Sequence, residues 1–428
     1  MAKNKKRKKT PAQPEVGGYK RFLIDMHETL CLMHIHGDFS GLSNEFKRTA
    51  YNYKIGILNP TAGNEGVSSG ELKMFAERSK KEYRERTFQA GDMSCISSYQ
   101  LQLYYAFISA RLMEIQKETG DKMHPMVIVF KNSQSQILRA FLSRYLACYF
   151  KMITRLSNPD QKYYGADIRM APFIKEKLKM EFICEVFGFH PQKCMISVNG
   201  CKRPAFQLAK PFYSMKTPVV WISIDVSLLG DFYKGSKNTL DVFIQSHALT
   251  RMKERLDLLD QEAINYALWE NTQTIKEFER FNGYLLLPFK VFGIKIGYLV
   301  ANVIEDKLLF RTFLFITHNS SPEGTRLRKL TGLGKEDITY WKIDRLSTFV
   351  KLKAEKYPGL IQLFCKAGLE KLMELKDKEF TIDSMQAANL DGLSEYITRG
   401  KNELKLMNLN LDTLVNEIDR NPGLTMSD

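Results

Sequence analysis

Between residues 240 and 317 the order of hydrophobic patterns leaves few folds open to this chain. Residues 240–244 form a short apolar run suited to a buried strand. Ser246 is a good N-cap, and the pattern from His247 to about Leu258 is helical. Asp260 is placed to cap a second helix over 261–269. Strand-like runs follow at 284–287, 290–294, 297–304 and 308–317, with Glu305-Asp306-Lys307 as a tight link between the last two. Ser320-Ser321-Pro322-Glu323 opens another helix, with Pro at its first position and Glu in its first turn. A strand, two helices, an antiparallel meander and a closing helix describe a compact α+β module.

The remainder divides around that module. Residues 1–17 read as a disordered basic tail, and 18–160 as a mainly helical domain. Within it, 71–86 is a charged helix of mixed sign, which reads as a solvated face, and 97–117 is an aromatic-rich helix. Residues 126–130 suit a short strand. Residues 133–155 form a long amphipathic helix whose Phe141, Tyr145 and Tyr149 read as core, not as a base-stacking platform. Asn158-Pro159-Asp160 breaks the chain. Residues 161–237 are a mixed α/β region: a helix at 172–187, then strands, including the run at 219–226. The α+β module occupies 238–350, and 351–428 is a helical C-terminal arm, with helices at 360–375 and 402–418, suited to a protein partner. The fold class is therefore α+β multidomain: a mainly helical N-terminal half, a compact α+β module with an antiparallel sheet, and a helical C-terminal arm.

Charge narrows the partners. The net charge is +15, and Lys3, Lys5, Lys6, Arg7, Lys8 and Lys9 account for six of it, leaving +9 on the rest. RNA or DNA is the commonest acidic partner of such a surface, with Lys5, Lys6, Arg7 and Lys8 gathering phosphate backbone. The seven cysteines are odd in number and include no CxxC, which points to a reducing, cytoplasmic setting. No apolar segment follows the basic N-terminus, so it is not a secretory signal. The most apolar stretch, 284–304, is interrupted by Pro288, Lys290, Gly293, Lys295 and Gly297 and reads as strands, with no membrane partner implied.

Chemistry concentrates on the helix that starts at His247. His247, Arg251 and Arg255 are four residues apart and share one face. Guanidinium forks match phosphate oxygens, and an imidazole moves protons near neutral pH. The helix dipole and the neighbouring arginines favour a neutral His247, which suits a general base. His318, at the end of the last strand, would be the matching acid if that end packs against the helix. Arg311, Arg326 and Arg328 are further phosphate candidates.

The segment 238–320, with His247-Ala248 followed by Arg251 and Arg255, resembles small bacterial toxin modules of the BrnT and RelE-like kind. That resemblance implies a compact α+β fold, a bacterial or mobile-element setting, and metal-independent RNA cleavage with no cofactor. Basic and imidazole side chains would handle the phosphate. A non-catalytic structural or interaction protein of a nucleoprotein assembly is the alternative.

Three other constellations compete. His27, Cys31 and His34 share a helical stripe that Asp38 would extend, a mixed ligand set fitting zinc or iron and a metal-dependent enzyme. Their spacing is not that of a structural zinc motif, and core side chains are the simpler reading. Cys184, His190, Cys194 and Cys201 have zinc-site composition without knuckle or ribbon spacing. Gly66-Val67-Ser68-Ser69-Gly70 fits GxSxG, but a Pro- and Gly-rich loop precedes it where a nucleophile elbow needs a strand. No P-loop, dinucleotide fingerprint or HExxH occurs. Gly332-Leu333-Gly334-Lys335 reads as a helix C-cap and turn.

Overall fold

The computed structural model describes residues 18–35, 39–89, 95–171, 180–198, 200–211, 219–353, 355–378 and 393–399. The basic tail, Asp38 and the helix expected at 402–418 lie outside them. The chain divides into two compact units, residues 1–152 with 166–187, and residues 153–165 with 188–428.

The first unit is mainly helical. Its elements are α1 (Gly18–Leu32), α2 (Asn44–Asn52), β1 (Gly56–Ile57), β2 (Thr61–Ala62), α3 (Ser69–Glu85), β3 (Thr87–Gln89), β4 (Cys95–Ser97) and α4 (Ser98–Thr119), with α5 (Pro125–Leu156) up to residue 152, β5 (Tyr163–Met170) from residue 166 and β6 (Glu181–Phe189) up to residue 187. Phe22, Met26, Phe46 and Leu103 knit α1, α2 and α4 into one apolar core. Ser68 caps α3 through a capping box with Glu71, so the GxSxG serine is a helix cap. Phe141, Tyr145 and Tyr149 of α5 are buried, as core residues should be.

Two sequence expectations fail here. Residues 126–130 belong to the start of α5 and are not a strand. Of this run, Val127 is buried while Val129 is 60% exposed, the one-sided burial of a helix flank. The helix expected at 172–187 is strand β6 from Glu181 onward. Phe182, Cys184 and Val186 alternate with more exposed neighbours, the period of two that a sheet imposes.

The second unit holds β7 (Lys193–Val198), β8 (Cys201–Gln207), β9 (Ala209–Pro211), β10 (Val219–Trp221), β11 (Ser223–Asp225), β12 (Thr239–Gln245), α6 (Ser246–Arg255) and α7 (Gln261–Thr272). It continues through β13 (Glu279–Phe281), β14 (Tyr284–Val291), β15 (Ile294–Ile304), β16 (Lys307–Phe315), α8 (Pro322–Thr331), α9 (Lys335–Tyr340), α10 (Leu346–Val350) and α11 (Pro358–Lys366). One sheet runs in the order β13-β14-β15-β16-β12-β8-β7, with β11 also on β12. The β12–β16 pair is parallel and its neighbours are antiparallel. Leu240, Val242 and Ile244 face the large core, and Phe243 joins a smaller cluster with Ile196 and Leu309 on the other side.

The meander is set by paired left-handed residues at its corners. Asn282-Gly283, Phe292-Gly293 and Glu305-Asp306 each place two successive residues at positive φ, the geometry of a two-residue hairpin turn. The strand expected at 290–294 is therefore the end of β14, this turn and the start of β15. Asp260 caps α7 by accepting from Ala263 N–H at 2.7 Å, and Ser321 caps α8 with Pro322 behind it. Ser246 is not the cap of α6. It is the first helical residue, and the strand's last residue, Gln245, stands at the cap without a side-chain bond.

The module is not a self-contained block at 238–350. Strands β7 and β8, from the region expected to stand apart at 161–237, extend its sheet. The described part of the C-terminal segment is helical, as expected, and it packs onto the module. Leu360, Phe364, Leu372 and Leu375, and Leu393 and Ile397 further on, are buried in the core that the sheet and α6 share. Among the described residues, no helix is long and apolar enough to cross a membrane.

Candidate functional site

The junction of β12 and α6 places the basic stripe. Gln245 ends the strand and the helix begins at the next residue, so His247 sits in the first turn with Arg251 and Arg255 one and two turns on. Ala248, Leu249 and Met252 anchor the apolar side of α6 in the core. The opposite wall comes from β16. There Phe310 pairs with Ala301 and Thr312 with Val300, so Arg311 is an extra residue with no partner across the ladder. This bulge lets Phe310 and Phe313 both join the large core although they are an odd number of residues apart.

A cleft of about 240 Å³ lies between these walls. His247, Arg251, Arg255, Arg311 and His318 all line it, joined by Lys335. Four cationic side chains thus face the space, against a single carboxylate, Asp344. Asp344 is 2% exposed and ion-paired with Arg255. Arg251 pairs with Glu254 at 2.6 Å along the helix surface. The Arg311 guanidinium lies over the Tyr284 ring at 4.8 Å, and its buried Nε has no hydrogen-bond partner. Burial brings Arg255 down to about 10, so it remains a cation at neutral pH.

Both imidazoles are held neutral. Burial lowers His247 below the ordinary imidazole value, with Arg203 and Arg251 adding to the effect and Glu254 opposing it. The sequence suggested the helix dipole and the neighbouring arginines; Arg251 does contribute, but removal from water comes first. His318 is brought down to about 4 by burial, with Lys335, Arg255 and Arg251 contributing. Its Nδ1 accepts from Ser320 N–H at 3.1 Å, which leaves the proton of the neutral ring on Nε2. At pH 7 this ring is a hydrogen-bond donor and not the protonated acid expected from its position. Gly324 holds the turn carrying it: a Cβ at this position would collide with the His318 carbonyl.

That burial makes a stability prediction. A histidine whose folded value is depressed binds fewer protons than the unfolded chain, so its contribution is intact above 6.5 and lost as pH falls toward about 4. Urea unfolding between pH 7 and 4 should show a loss on the order of 2–3 kcal/mol traceable to this residue. His318→Asn, whose Oδ1 can replace the Nδ1 acceptor, should flatten that part of the profile. An unchanged profile would contradict the assignment.

Other expected site residues lie elsewhere. Arg326 Nε donates to the Ala367 carbonyl at 3.0 Å, closing the end of α11, and neither it nor Arg328 lines the cleft. His27, Cys31 and His34 are exposed on or just after α1, with His27 Nε2 3.8 Å from Cys31 Sγ. Among the described residues, no three His, Cys, Asp or Glu side chains are grouped to hold a metal ion. Lys5, Lys6, Arg7 and Lys8 lie outside the described residues. The sequence reading missed Lys335, Tyr284 and Asp344 as cleft residues. Lys335 carried a faint signal, as a cation at the start of a helix, whereas Asp344 sits in a turn with no local pattern.

No protein-family model, curated protein or solved structure matches the chain.

Proposed function

We propose that the second unit's cleft binds the phosphodiester backbone of RNA and cleaves it without a metal ion. The observation that carries this reading is one pocket combining four cations with two neutral imidazoles. Neutral His247 takes the proton of a ribose 2′-OH as that oxygen attacks phosphorus. The phosphorus–5′-oxygen bond breaks, the departing oxygen takes a proton from water, and a 2′,3′-cyclic phosphate remains. Arg251, Arg255, Arg311 and Lys335 offset the negative charge that grows on the phosphoryl oxygens, and His318 Nε2–H donates to one of them. The chemistry matches what the resemblance to BrnT and RelE-like modules implies.

A second reading, a non-catalytic RNA or DNA-binding component of a nucleoprotein assembly, is favoured by one fact. Arg255 and Arg251 already have carboxylate partners. Under this reading the tail and the remaining cations hold the strand and no bond is broken.

Fluorescence anisotropy with a short single-stranded RNA over a salt series tests the binding step. Each phosphate neutralised contributes about −0.7 to the slope of log affinity against log salt. A protein lacking residues 1–17 should keep a measurable slope, reduced further by Arg311→Gln. Complete loss of binding on removing the tail would leave the cleft without a role in RNA capture.

A further inference from the structure

The first unit contains a larger cavity, about 760 Å³, that the RNA-cleavage reading does not use. We propose that it is a binding site for a free nucleoside monophosphate.

Three observations converge on that ligand. First, four tyrosines line the space, Tyr51, Tyr83, Tyr99 and Tyr145, giving aromatic surface for a planar base. The Arg84 guanidinium already stacks over the Tyr99 ring at 5.1 Å. Tyr99 itself is fixed through its hydroxyl, which donates to Asp25 Oδ2 at 2.6 Å, and Arg21 holds that carboxylate from its other side.

Second, one lining residue carries a buried, unmatched donor. Gln102 is 1% exposed. Its Oε1 accepts from the Tyr83 hydroxyl, which fixes the orientation of the amide. Nε2 is left without a hydrogen-bond partner. Leaving such a group unmatched is costly, and a base carbonyl or ring nitrogen would satisfy it.

Third, the charged groups on the wall are Lys54, Lys80 and Arg84, and no lining residue among those described is Asp or Glu. That set suits a phosphate dianion. A magnesium-held triphosphate would ordinarily bring a protein carboxylate to the metal, and the wall offers none. The size is within the ordinary range for small-ligand cavities, about 300–1,000 Å³.

The backbone makes room for such a ligand. Gly56 N–H donates to the carbonyl of Met180, just before β6, and Leu58 and Gly63 N–H groups donate to those of Phe182 and Val186 along the same edge of the strand. Yet Gly56 pairs with Glu181 and Thr61 with Glu185, five residues against four. The extra residue forms a bulge at 58–60, and Leu58, Asn59 and Pro60 line the cavity. A bulge beside a site re-aims the chain without ending the sheet.

Calorimetric titration of the full-length protein with AMP, GMP, CMP and UMP tests this. Inorganic phosphate and the matching nucleosides serve as partial ligands. At least one nucleotide should bind one-to-one, and about tenfold or more tighter than either of its parts. Lys80→Met with Arg84→Gln should weaken the nucleotide about tenfold while sparing the nucleoside, whereas Gln102→Met should weaken both. Melting curves confirm that each variant is folded. No saturable binding of any of the four to the unaltered protein would overturn the proposal. So would binding that survives these substitutions but disappears in Arg251→Gln, because the nucleotide would then occupy the other cleft.

Discussion

Arg255→Met should destabilise the protein by about 3–5 kcal/mol, read as a fall in the urea midpoint at constant m-value. Asp344 is 2% exposed, and the Arg255 side chain is 13% exposed, so the pair is largely out of water. Removing the guanidinium strands a buried carboxylate whose other described contact is Thr339 Oγ1 at 3.3 Å. Methionine keeps much of the arginine stem's volume, so the loss reports charge and not a cavity. The double variant Arg255→Met with Asp344→Leu should recover most of the stability, because an ion pair this deep gives up about as much hydration as it gains in attraction. A single variant within 1 kcal/mol of the parent would contradict the pairing. The double variant is also informative for function: it keeps the fold while removing one cation from the cleft.

His247→Ala should lower RNA cleavage by about 10²- to 10⁴-fold, the usual contribution of a positioned general base. RNA affinity should change little, since Arg251, Arg311 and Lys335 remain. The pH profile carries a second signature. Because burial lowers His247 below the ordinary imidazole value, its neutral form predominates at pH 7. Cleavage should therefore be level from pH 7 to 8 and fall only as the solution becomes more acidic than the ordinary imidazole value. A variant that cleaves at the parental rate would assign the base elsewhere. A profile still rising steeply toward pH 8 would point to a different titrating group.

How much of this was legible in the sequence depended on whether its cause was local. The helix starts at Asp260 and Ser321, the link at Glu305-Asp306 and the succession from β12 to α8 follow from caps, turns and periodicity within a few residues. The four-residue spacing of His247, Arg251 and Arg255 did predict three side chains on one wall, and Arg311 and His318 join them. The misses come from competition or from distance. The apolar run at 126–130 fits a strand or a buried helix flank equally, and continuity with α5 decides. The alternation at Phe182, Cys184 and Val186 is present in the sequence, but so short an apolar run fits a buried helix as well as a strand. The bulge at Arg311 depends on the register of β15, and Asp344 reaches Arg255 across 89 positions, so no short window contains either. The apparent independence of the module failed for the same reason, since β8 finds its place only against β12.

The central claim is tested most directly by incubating the purified full-length protein with 5′-labelled single-stranded RNA in excess chelator and identifying the product ends. The cleft as described predicts turnover undiminished by the chelator, with fragments ending in 2′,3′-cyclic phosphate. A substrate that stays intact, or cleavage that stops when divalent ions are removed, would contradict it.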